Sequence, residues 1–307
     1  MTTNLSHLPV MVDEVVSYLK PKNKDLYLDG TFGQGGYSQK ILESANCNIF
    51  AIDRDIQSES YAKEIKKKFK SRFTFHQEKL SNLSSLIKKE QIKYFDGIVL
   101  DLGISNTQLN NPLRGFSFNN DGPLDMRMDC ENEKLTAEIV VNEYEEKELS
   151  DIFFYYGEER NSRKIAKSII NFRRKERIKT TKMLSDIIKK INYNKFKHPA
   201  TRVFQALRIF INEELNELEK VLELSEEIMS NESRIVVVSF HSLEDRIIKN
   251  FFKKRSIDHI SERKKRTKFS KLKIITKKPI TPSEKEIHIN PRSRSAKLRV
   301  AEKNEIS

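Results

Sequence analysis

Short hydrophobic runs alternate with amphipathic stretches over the first hundred residues of the chain. The runs have the length of a strand and are apolar almost throughout, whereas the stretches between them have apolar positions at helical spacing. Strands that are apolar on both faces are typical of a parallel sheet covered by helices on both sides. The pattern therefore predicts a doubly wound α/β fold, with strands at residues 25–29, 48–53, 73–76 and 96–101 and helices at residues 38–44, 56–69 and 83–90.

The alternation stops after Asp101. Residues 105–135 are rich in Asn, Pro, Gly and Asp, which is typical of a long loop. Apolar positions at helical spacing then continue with no intervening strand, which indicates an inserted all-helical subdomain. Its helices are predicted near Thr136 and at residues 145–156, 162–175 and 181–190, and one long helix follows at residues 200–230.

The α/β pattern then returns with a strand at 234–240 and a helix at 242–254, and residues 273–276 and 296–301 are predicted to be sheet-edge strands. We therefore predict two domains. Residues 1–104 and 201–307 would form a discontinuous ligand-binding α/β domain with a basic C-terminal segment. Residues 105–200 would form an inserted loop and helical subdomain that recognises the substrate.

Positive charge is concentrated near the C-terminus. The net charge is +13, and residues 246–303 alone contain 20 Lys or Arg against 5 Asp or Glu. Clustered positive charge attracts polyanions to one side of a molecule. The distribution favours a nucleic-acid partner over the alternative, a solvated lysine-rich tail.

Cys47 and Cys130 are far apart in sequence and form no CxxC pair, as expected for reduced thiols in a cytoplasmic protein without a metal site. The N-terminal residues lack a basic region followed by an apolar stretch, so we expect no signal peptide. No apolar run approaches the roughly 20 residues of a membrane span, so we expect no membrane partner.

A glycine-rich turn follows the first predicted strand, with the sequence Asp29-Gly30-Thr31-Phe32-Gly33-Gln34-Gly35-Gly36-Tyr37-Ser38. Such a turn admits a ligand close to the backbone, and the helix after it presents unpaired N–H groups. The second strand ends at Asp53, where a carboxylate can bind a ribose diol. Neither the phosphate-loop ending Gly-Lys-Ser/Thr nor the GxGxxG spacing is present. The turn therefore predicts a nucleoside cofactor without phosphates, for which S-adenosylmethionine is the obvious candidate.

Two further candidates come directly after strands. Asp101 ends the fourth strand and precedes Gly103, so it is placed to face the predicted ligand, the alternative being a helix or turn cap. His241 follows the strand at 234–240. It is a candidate for contacting a substrate base or transferring a proton, and equally for a structural hydrogen bond.

The candidate RNA-binding residues are aromatic or cationic. Phe116 and Phe118 could stack on a base, or could anchor their loop to the core. Two arginines share one face of the predicted helix 200–230. They either contact phosphates or form part of a polar surface. Two more arginines lie in the basic C-terminal segment. These arginines are Arg202, Arg208, Arg292 and Arg294.

The sequence segments described above, taken together and in their order along the chain, resemble the bacterial 16S rRNA cytosine-N4 methyltransferase family. The resemblance extends from His7 to Ala301 and is most specific at Arg114–Asp129 and Ser239–Arg246. It implies a Rossmann-like class I methyltransferase fold in a cytoplasmic enzyme. It also implies S-adenosylmethionine as methyl donor and, as acceptor, the exocyclic N4 of a cytidine in the decoding region of 16S rRNA, in the small ribosomal subunit.

The resemblance also implies a donor site. Tyr37 stands where the family usually has His, and Leu80 stands where Phe is common. The [DNS]-Pro-Pro-[YF] motif of other amino-methyltransferases is absent, so Asp101 is the catalytic candidate, orienting donor and base. The implied donor-site residues are Gly35, Gly36, Tyr37, Asp53, Leu80, Asp101 and Gln108.

Two other functions stay open at this point. A non-catalytic RNA-binding ribosome-assembly protein with a vestigial methyltransferase fold would share the basic surface but would not bind the donor. A methyltransferase for a small molecule or a protein would bind the donor but would not need the basic segment. The sequence is compatible with a monomer and with a homodimer.

Overall fold

The computed structural model describes residues 9–192, 198–256 and 271–304. The chain divides into two compact units, Met1–Gly103 together with Leu215–Ser307, and Ile104–Glu214. We call them the sheet unit and the helical unit. Across the described ranges, no helix combines the length and the apolar character that crossing a membrane would require.

A single sheet forms the centre of the sheet unit. Its described strands are β1 (Leu26–Asp29), β2 (Asn48–Asp53), β3 (Phe73–Gln77), β4 (Phe95–Asp101), β5 (Met229–Ser239), β6 (Leu272–Ile274) and β7 (Lys297–Lys303). They lie in the order β3-β2-β1-β4-β5-β7-β6. β1 to β5 are parallel, and β7 is antiparallel to both of its neighbours.

Helices flank this sheet and make up the helical unit. Those of the sheet unit are α1 (Val12–Leu19), α2 (Gly36–Ser44), α3 (Ser58–Phe69), α4 (Leu83–Lys89), α11 (Glu214–Ile228), α12 (Ser242–Ser256) and α13 (Glu284–Ile289). Those of the helical unit are α5 (Asn106–Asn110), α6 (Ala137–Glu143), α7 (Glu146–Gly157), α8 (Ser162–Arg173), α9 (Thr181–Lys189) and α10 (Thr201–Ile211).

Successive side chains of the central strands enter different cores. Val99 packs with residues of α1, α2 and α3, whereas its neighbours Ile98 and Leu100 pack with residues of α4, α11 and α12. All three are fully buried. Both faces of the sheet are therefore covered, which confirms the α/β fold that the apolar strands predicted.

The order of the strands determines where a ligand can bind. From β1 the chain continues to β2 and β3 on one side, and β4 and β5 lie on the other. Asp29 pairs with Val99 in the register, so the carboxyl ends of β1 and β4 lie side by side. In open α/β sheets, ligands bind outside the carboxyl ends of the strands at such a reversal point.

The helix predicted at 200–230 is interrupted, and the prediction of one long helix was wrong. Asn212 is fully buried; its Nδ2 donates to the Met126 carbonyl (2.8 Å) and its Oδ1 accepts from the Met128 N–H (2.7 Å). Glu213 then has a left-handed backbone conformation (φ 50°), which ends α10. A distant loop therefore sets the helix boundary.

The compact units differ from the predicted domains at one boundary, since α10 belongs to the helical unit. The Gln205 side chain of α10 donates to the Tyr156 carbonyl of α7 (3.3 Å). Gly157 of α7 lies so close to α10 that an added Cβ would be 2.5 Å from the Arg202 carbonyl oxygen. Two further details differ: the strand β7 lies inside the sheet rather than at its edge, and the helix α1 is not predicted by the pattern.

Candidate active site

The glycine-rich turn joins β1 to α2 at the reversal point of the sheet. Gly33 and Gly35 have positive φ angles of 54° and 76°, and Gly35 is the N-cap of α2. The Gly33 N–H donates to Asp53 Oδ2 at 2.6 Å, which ties the turn to the end of β2. The structure thus brings the predicted glycines and the predicted acid together.

The space that Gly35 and Gly36 leave is filled by protein. A Cβ added to Gly35 would lie 2.4 Å from Ile65 Cδ1, and one added to Gly36 would lie 2.7 Å from Pro9 Cγ. The absent side chains therefore allow the turn to pack inside the sheet unit. A ligand at these two positions would contact backbone N–H groups at the start of α2, which is the usual mode of anion binding at a helix N-terminus.

Asp29 stabilises the conformation of the glycine-rich turn. It is 1% exposed, and its carboxylate accepts from Ser38 Oγ (2.6 Å) and from the Thr31 N–H (3.3 Å). Burial raises its pKa to about 6, against hydrogen bonds that lower it. Asp29 therefore stabilises the turn, a role that the sequence pattern does not reveal.

Asp53 is engaged by the backbone but retains acceptor capacity. Its Oδ1 accepts from the Asp55 N–H (2.8 Å), and its Oδ2 accepts from Gly33. Burial raises its pKa above the ordinary value. Because each carboxylate oxygen has two lone pairs, both can still accept from the hydroxyls of a ribose.

The buried carboxylate of Asp101 provides the clearest structural evidence for a ligand site. Its N–H donates to Thr31 Oγ1 (2.5 Å), whereas its Oδ1 is buried and has no hydrogen-bond partner among the described residues. Burial first, and then the charges of Asp29 and Glu244, raise its pKa well above the ordinary value. A buried carboxylate oxygen without a partner is costly, so a cationic group or an N–H donor of a ligand would stabilise it.

Leu80 provides an apolar surface beside the turn. It begins the short 3₁₀ helix Leu80–Asn82 and is packed against the core that contains Leu100. A Cβ added to Gly30 would lie 2.5 Å from Leu100 Cδ2 and 3.1 Å from Leu80 Cδ2. The side chain is therefore placed to contact an aromatic ring bound over β1.

His241 is held by a residue that sequence reasoning missed. Glu244, 2% exposed, accepts from the N–H groups of Phe240 (2.8 Å) and His241 (3.3 Å) through Oε2. His241 Nε2 lies 3.1 Å from Glu244 Oε1 but outside hydrogen-bond geometry. These contacts favour the structural role of His241. A Glu three residues after a His in a strand-to-helix turn is the signal that would have revealed the pair.

In the helical unit, two residues predicted to contact a ligand have structural roles. Gln108 forms a capping box with Ser105: Gln108 Oε1 accepts from the Ser105 N–H (2.9 Å), and Ser105 Oγ accepts from the Gln108 N–H (3.2 Å). Phe116 is 5% exposed and belongs to the helical core. Stacking of Phe116 on a base is therefore contradicted, because its ring faces are covered by the core that it anchors.

Phe118 remains accessible in part and is already engaged in stacking. Its ring is parallel to that of His198, with centroids 4.2 Å apart, and it meets Phe204 edge-on at 5.4 Å. Half-buried Phe118 and His198 thus form an aromatic pair on the helical unit. This pair includes a histidine that the sequence pattern does not single out.

The four predicted arginines fall into different environments. Arg208 forms a bidentate ion pair with Glu214, in which Nε and Nη2 each lie 2.8 Å from a carboxylate oxygen. Both side chains are nearly buried, at 13% and 10% exposed, so phosphate binding by Arg208 is contradicted. Arg202, Arg292 and Arg294 are exposed.

Some residues that favour RNA binding lie outside the described ranges. They are residues 257–270 of the basic C-terminal segment, together with His7 and residues 196–197, which are part of the resemblance to the methyltransferase family. Cys47 is buried and Cys130 is half-buried, and neither is part of a disulfide bond.

The sheet order, the glycine-rich turn and the two acids that end β2 and β4 define a Rossmann-like, S-adenosylmethionine-dependent methyltransferase. The sequence profile of the MraW methylase family matches residues 4–304. The chain belongs to this family.

Curated relatives extend over the same length. "Ribosomal RNA small subunit methyltransferase H" of Rickettsia bellii (strain RML369-C) is 48% identical, with 97% of this chain and 98% of the relative covered. The protein of the same name from Rickettsia akari (strain Hartford) is 49% identical, with the same coverage. Family membership confirms the predicted enzyme class and its methyl donor. It favours a catalyst over the non-catalytic assembly protein.

Proposed function

We propose that this protein transfers a methyl group from S-adenosylmethionine to the exocyclic N4 of a cytidine in the decoding region of 16S rRNA. Membership of a family whose relatives are named for methylation of small-subunit ribosomal RNA supports the acceptor. The observation that carries the mechanism is the buried, unpartnered Oδ1 of Asp101 beside the glycine-rich turn. The proposed place of action is the cytoplasm, where ribosomal subunits are assembled.

The residues at the reversal point fit the donor group by group. Backbone N–H groups at Gly36 and Tyr37 would bind its carboxylate, and the Asp53 carboxylate would accept from its ribose hydroxyls. Leu80 would form an apolar wall for adenine. Gln108 stays a donor-site prediction that rests on the family resemblance alone.

When bound, the donor supplies an electrophilic methyl group on a positively charged sulfur. The protein must orient the acceptor, because the lone pair of the cytosine amine is delocalised into the ring. Asp101 Oδ1 can accept an N–H of that amine or interact with the donor's cationic part, and thereby fix their relative geometry. Gly103, with a φ angle of 98°, leaves the backbone after Asp101 uncovered by a side chain.

The RNA would be held by residues that the structure leaves accessible. We propose that the half-exposed ring of Phe118 contacts a base and that Arg202 contacts the backbone of the RNA. Exposed Arg292 and Arg294, on the short 3₁₀ helix Pro291–Ser295 of the sheet unit, would contact phosphates. His241 stays a proposal for contact with the substrate. A homodimer also stays a prediction, which light scattering on the purified protein tests.

The reaction is tested with small ribosomal subunits from cells that lack the modification. The subunits are incubated with labelled S-adenosylmethionine and enzyme, the RNA is digested, and the labelled nucleoside is identified. We expect label in N4-methylated cytidine. Label in another nucleoside would overturn the proposed acceptor atom, and label in protein alone would overturn the RNA acceptor.

Asp101→Asn tests the residue that carries the mechanism. We expect it to reduce methyl transfer by at least about 100-fold, because an amide cannot provide the charge or a second acceptor oxygen. Asp96→Asn is the matched control at the other end of β4. Asp96 accepts from the Leu26 N–H (2.9 Å) and from Ser230 Oγ (2.9 Å), away from the site. Equal activities of the two variants would contradict the role of Asp101.

A further inference from the structure

Helix α8 presents a stripe of positive charge on the surface of the helical unit. None of its 12 residues is Asp or Glu, and its three exposed cations lie within about 100° of one another around the helix axis. The opposite side carries Ile165, Ala166 and Ile169, which are fully buried in the helical core. One further exposed arginine lies near each end of the helix. The α8 stripe thus consists of Arg160, Arg163, Lys164, Lys167 and Arg174.

The cations of the α8 stripe lack the acidic partners that other cations of the helical unit have. On α9, Lys182 and Lys189 both pair with Asp186, at 2.6 and 3.4 Å. Within the described ranges, by contrast, no member of the α8 stripe forms an ion pair. Like charges that are fixed on one face and not neutralised by neighbouring acids attract a polyanion.

A pair of exposed aromatic side chains lies on the neighbouring helix. Phe154 and Tyr155, near the end of α7, are 53% and 64% exposed, and their rings meet edge-on with centroids 5.3 Å apart. Ser150 Oγ of α7 lies 3.3 Å from Ser162 Oγ of α8. The first turn of α8, which contains Arg163, therefore packs against α7 one helical turn before Phe154. Large apolar side chains that are exposed together mark a binding surface.

The chemistry of the two helices fits an unpaired segment of RNA. Exposed rings stack on bases that have no pairing partner, and cations bind the phosphates that connect those bases. The exposed acids Asp151 and Glu158 flank the aromatic pair on α7, so phosphates are directed to α8 and the rings are left for a base. A nucleotide carries a base and a phosphate in one unit, whereas a protein partner would have to match the rings and the cations separately.

We propose that α7 and α8 form a further RNA-binding surface, in which Phe154 and Tyr155 stack on an unpaired base and the α8 stripe binds the adjoining phosphates. The inference rests on the proposed RNA acceptor. It adds to the contact proposed for Arg202, whose carbonyl oxygen packs on Gly157 at the end of α7. This surface binds RNA outside the target cytidine, so it contributes to affinity for the substrate and not to the chemical step.

Fluorescence anisotropy with the full chain and a labelled single-stranded RNA of about 12 nucleotides tests the phosphate contacts. The variant Arg163→Ala/Lys167→Ala is compared with Lys182→Ala/Lys189→Ala, which changes the net charge equally but removes cations that are paired with Asp186. We expect the first variant to bind about ten-fold more weakly at about 0.1 M salt and to reduce the slope of log affinity against log salt by about 1 to 2. The second should change affinity by less than about two-fold.

Tyr155→Ala tests the stacking, with Tyr94→Ala as the matched control. Tyr94 is an exposed tyrosine of the sheet unit, at 47%. We expect Tyr155→Ala to weaken binding of the single strand about ten-fold and Tyr94→Ala to leave it unchanged. Neither variant should weaken binding of a duplex RNA of the same length, because its bases are paired and stacked on each other. With small ribosomal subunits as acceptor, Tyr155→Ala should raise KM and leave kcat unchanged.

The outcomes separate this surface from the proposed reaction. Equal effects of the two double variants, or of the two tyrosine variants, would overturn the inference and show a solvated face. Unchanged RNA affinity of Tyr155→Ala, combined with a smaller oligomer in light scattering, would overturn it in favour of contact with a second copy of the chain. If the unaltered protein binds RNA through this surface but does not methylate it, the proposed function is wrong and the surface stands.

Discussion

Gly33 and Gly35 lie two residues apart in the same turn, both with positive φ, but their surroundings differ. The nearest atom to a Cβ added at Gly33 is the Thr31 carbonyl oxygen, 4.0 Å away. A Cβ added at Gly35 would lie 2.4 Å from Ile65 Cδ1 and 2.6 Å from two ring atoms of Phe32. Replacing each glycine by alanine therefore separates the cost of the backbone conformation from the cost of lost space.

The structure predicts the size of each effect. Gly33→Ala carries only the penalty of a left-handed alanine, about 1 kcal/mol of the free energy of unfolding. Gly35→Ala carries the same penalty and overpacks the turn, which adds about 1 to 3 kcal/mol. The Ile65 methyl can move, but the Phe32 ring also packs against Phe73 (5.5 Å between centroids) and Phe75 (5.1 Å), which restricts its movement. The total for Gly35→Ala is about 2 to 4 kcal/mol.

The chain contains no tryptophan, so urea unfolding is best followed by far-UV circular dichroism. The transition of the sheet unit is the relevant one, since both glycines lie in that unit. We expect Gly35→Ala to lower its midpoint clearly more than Gly33→Ala, with equal slopes. Equal losses, or a larger loss for Gly33→Ala, would refute the argument that protein packing requires Gly35.

Two further predictions concern ionised side chains. Arg208→Ala should lower the free energy of unfolding by about 3 kcal/mol, because it leaves Glu214 nearly buried and unpaired. Arg202→Ala should cost less than about 0.5 kcal/mol but weaken RNA binding, as urea unfolding and filter binding would measure, and equal stability losses would contradict this difference. The pKa of Asp29 is about 6 in the folded protein against an ordinary 3.8, so the folded state binds more protons between these values and stability falls as pH rises through this window, by about 3 kcal/mol. Asp29→Asn should remove this decline from a pH series of unfolding curves, and an unchanged slope would show that other acids cause it.

The fold class and the place proposed for the donor site follow from the order of residues alone. Apolar strands separated by helices predicted a parallel sheet, and the carboxyl ends of parallel strands share one edge. This reasoning places Gly33, Asp53 and Asp101 together, and the Gly33–Asp53 hydrogen bond confirms the first pair. These inferences succeed because periodicity and strand direction are local properties that the chain encodes within a few residues.

Which of the candidate side chains remain accessible depends on tertiary packing. Phe116 and Arg208 resemble their neighbours Phe118 and Arg202 in sequence, yet Phe116 is buried in the core and Arg208 is paired with Glu214. The break at Asn212 depends on a loop more than eighty residues earlier in the chain.

The hydrogen bond from the Tyr37 hydroxyl on α2 to the Val10 carbonyl oxygen likewise joins segments 27 residues apart in the chain. Such pairings depend on which distant segments pack together. Burial and hydrogen bonding across those contacts, rather than residue type, then determine whether a charged or aromatic side chain supports the fold or is available to a ligand.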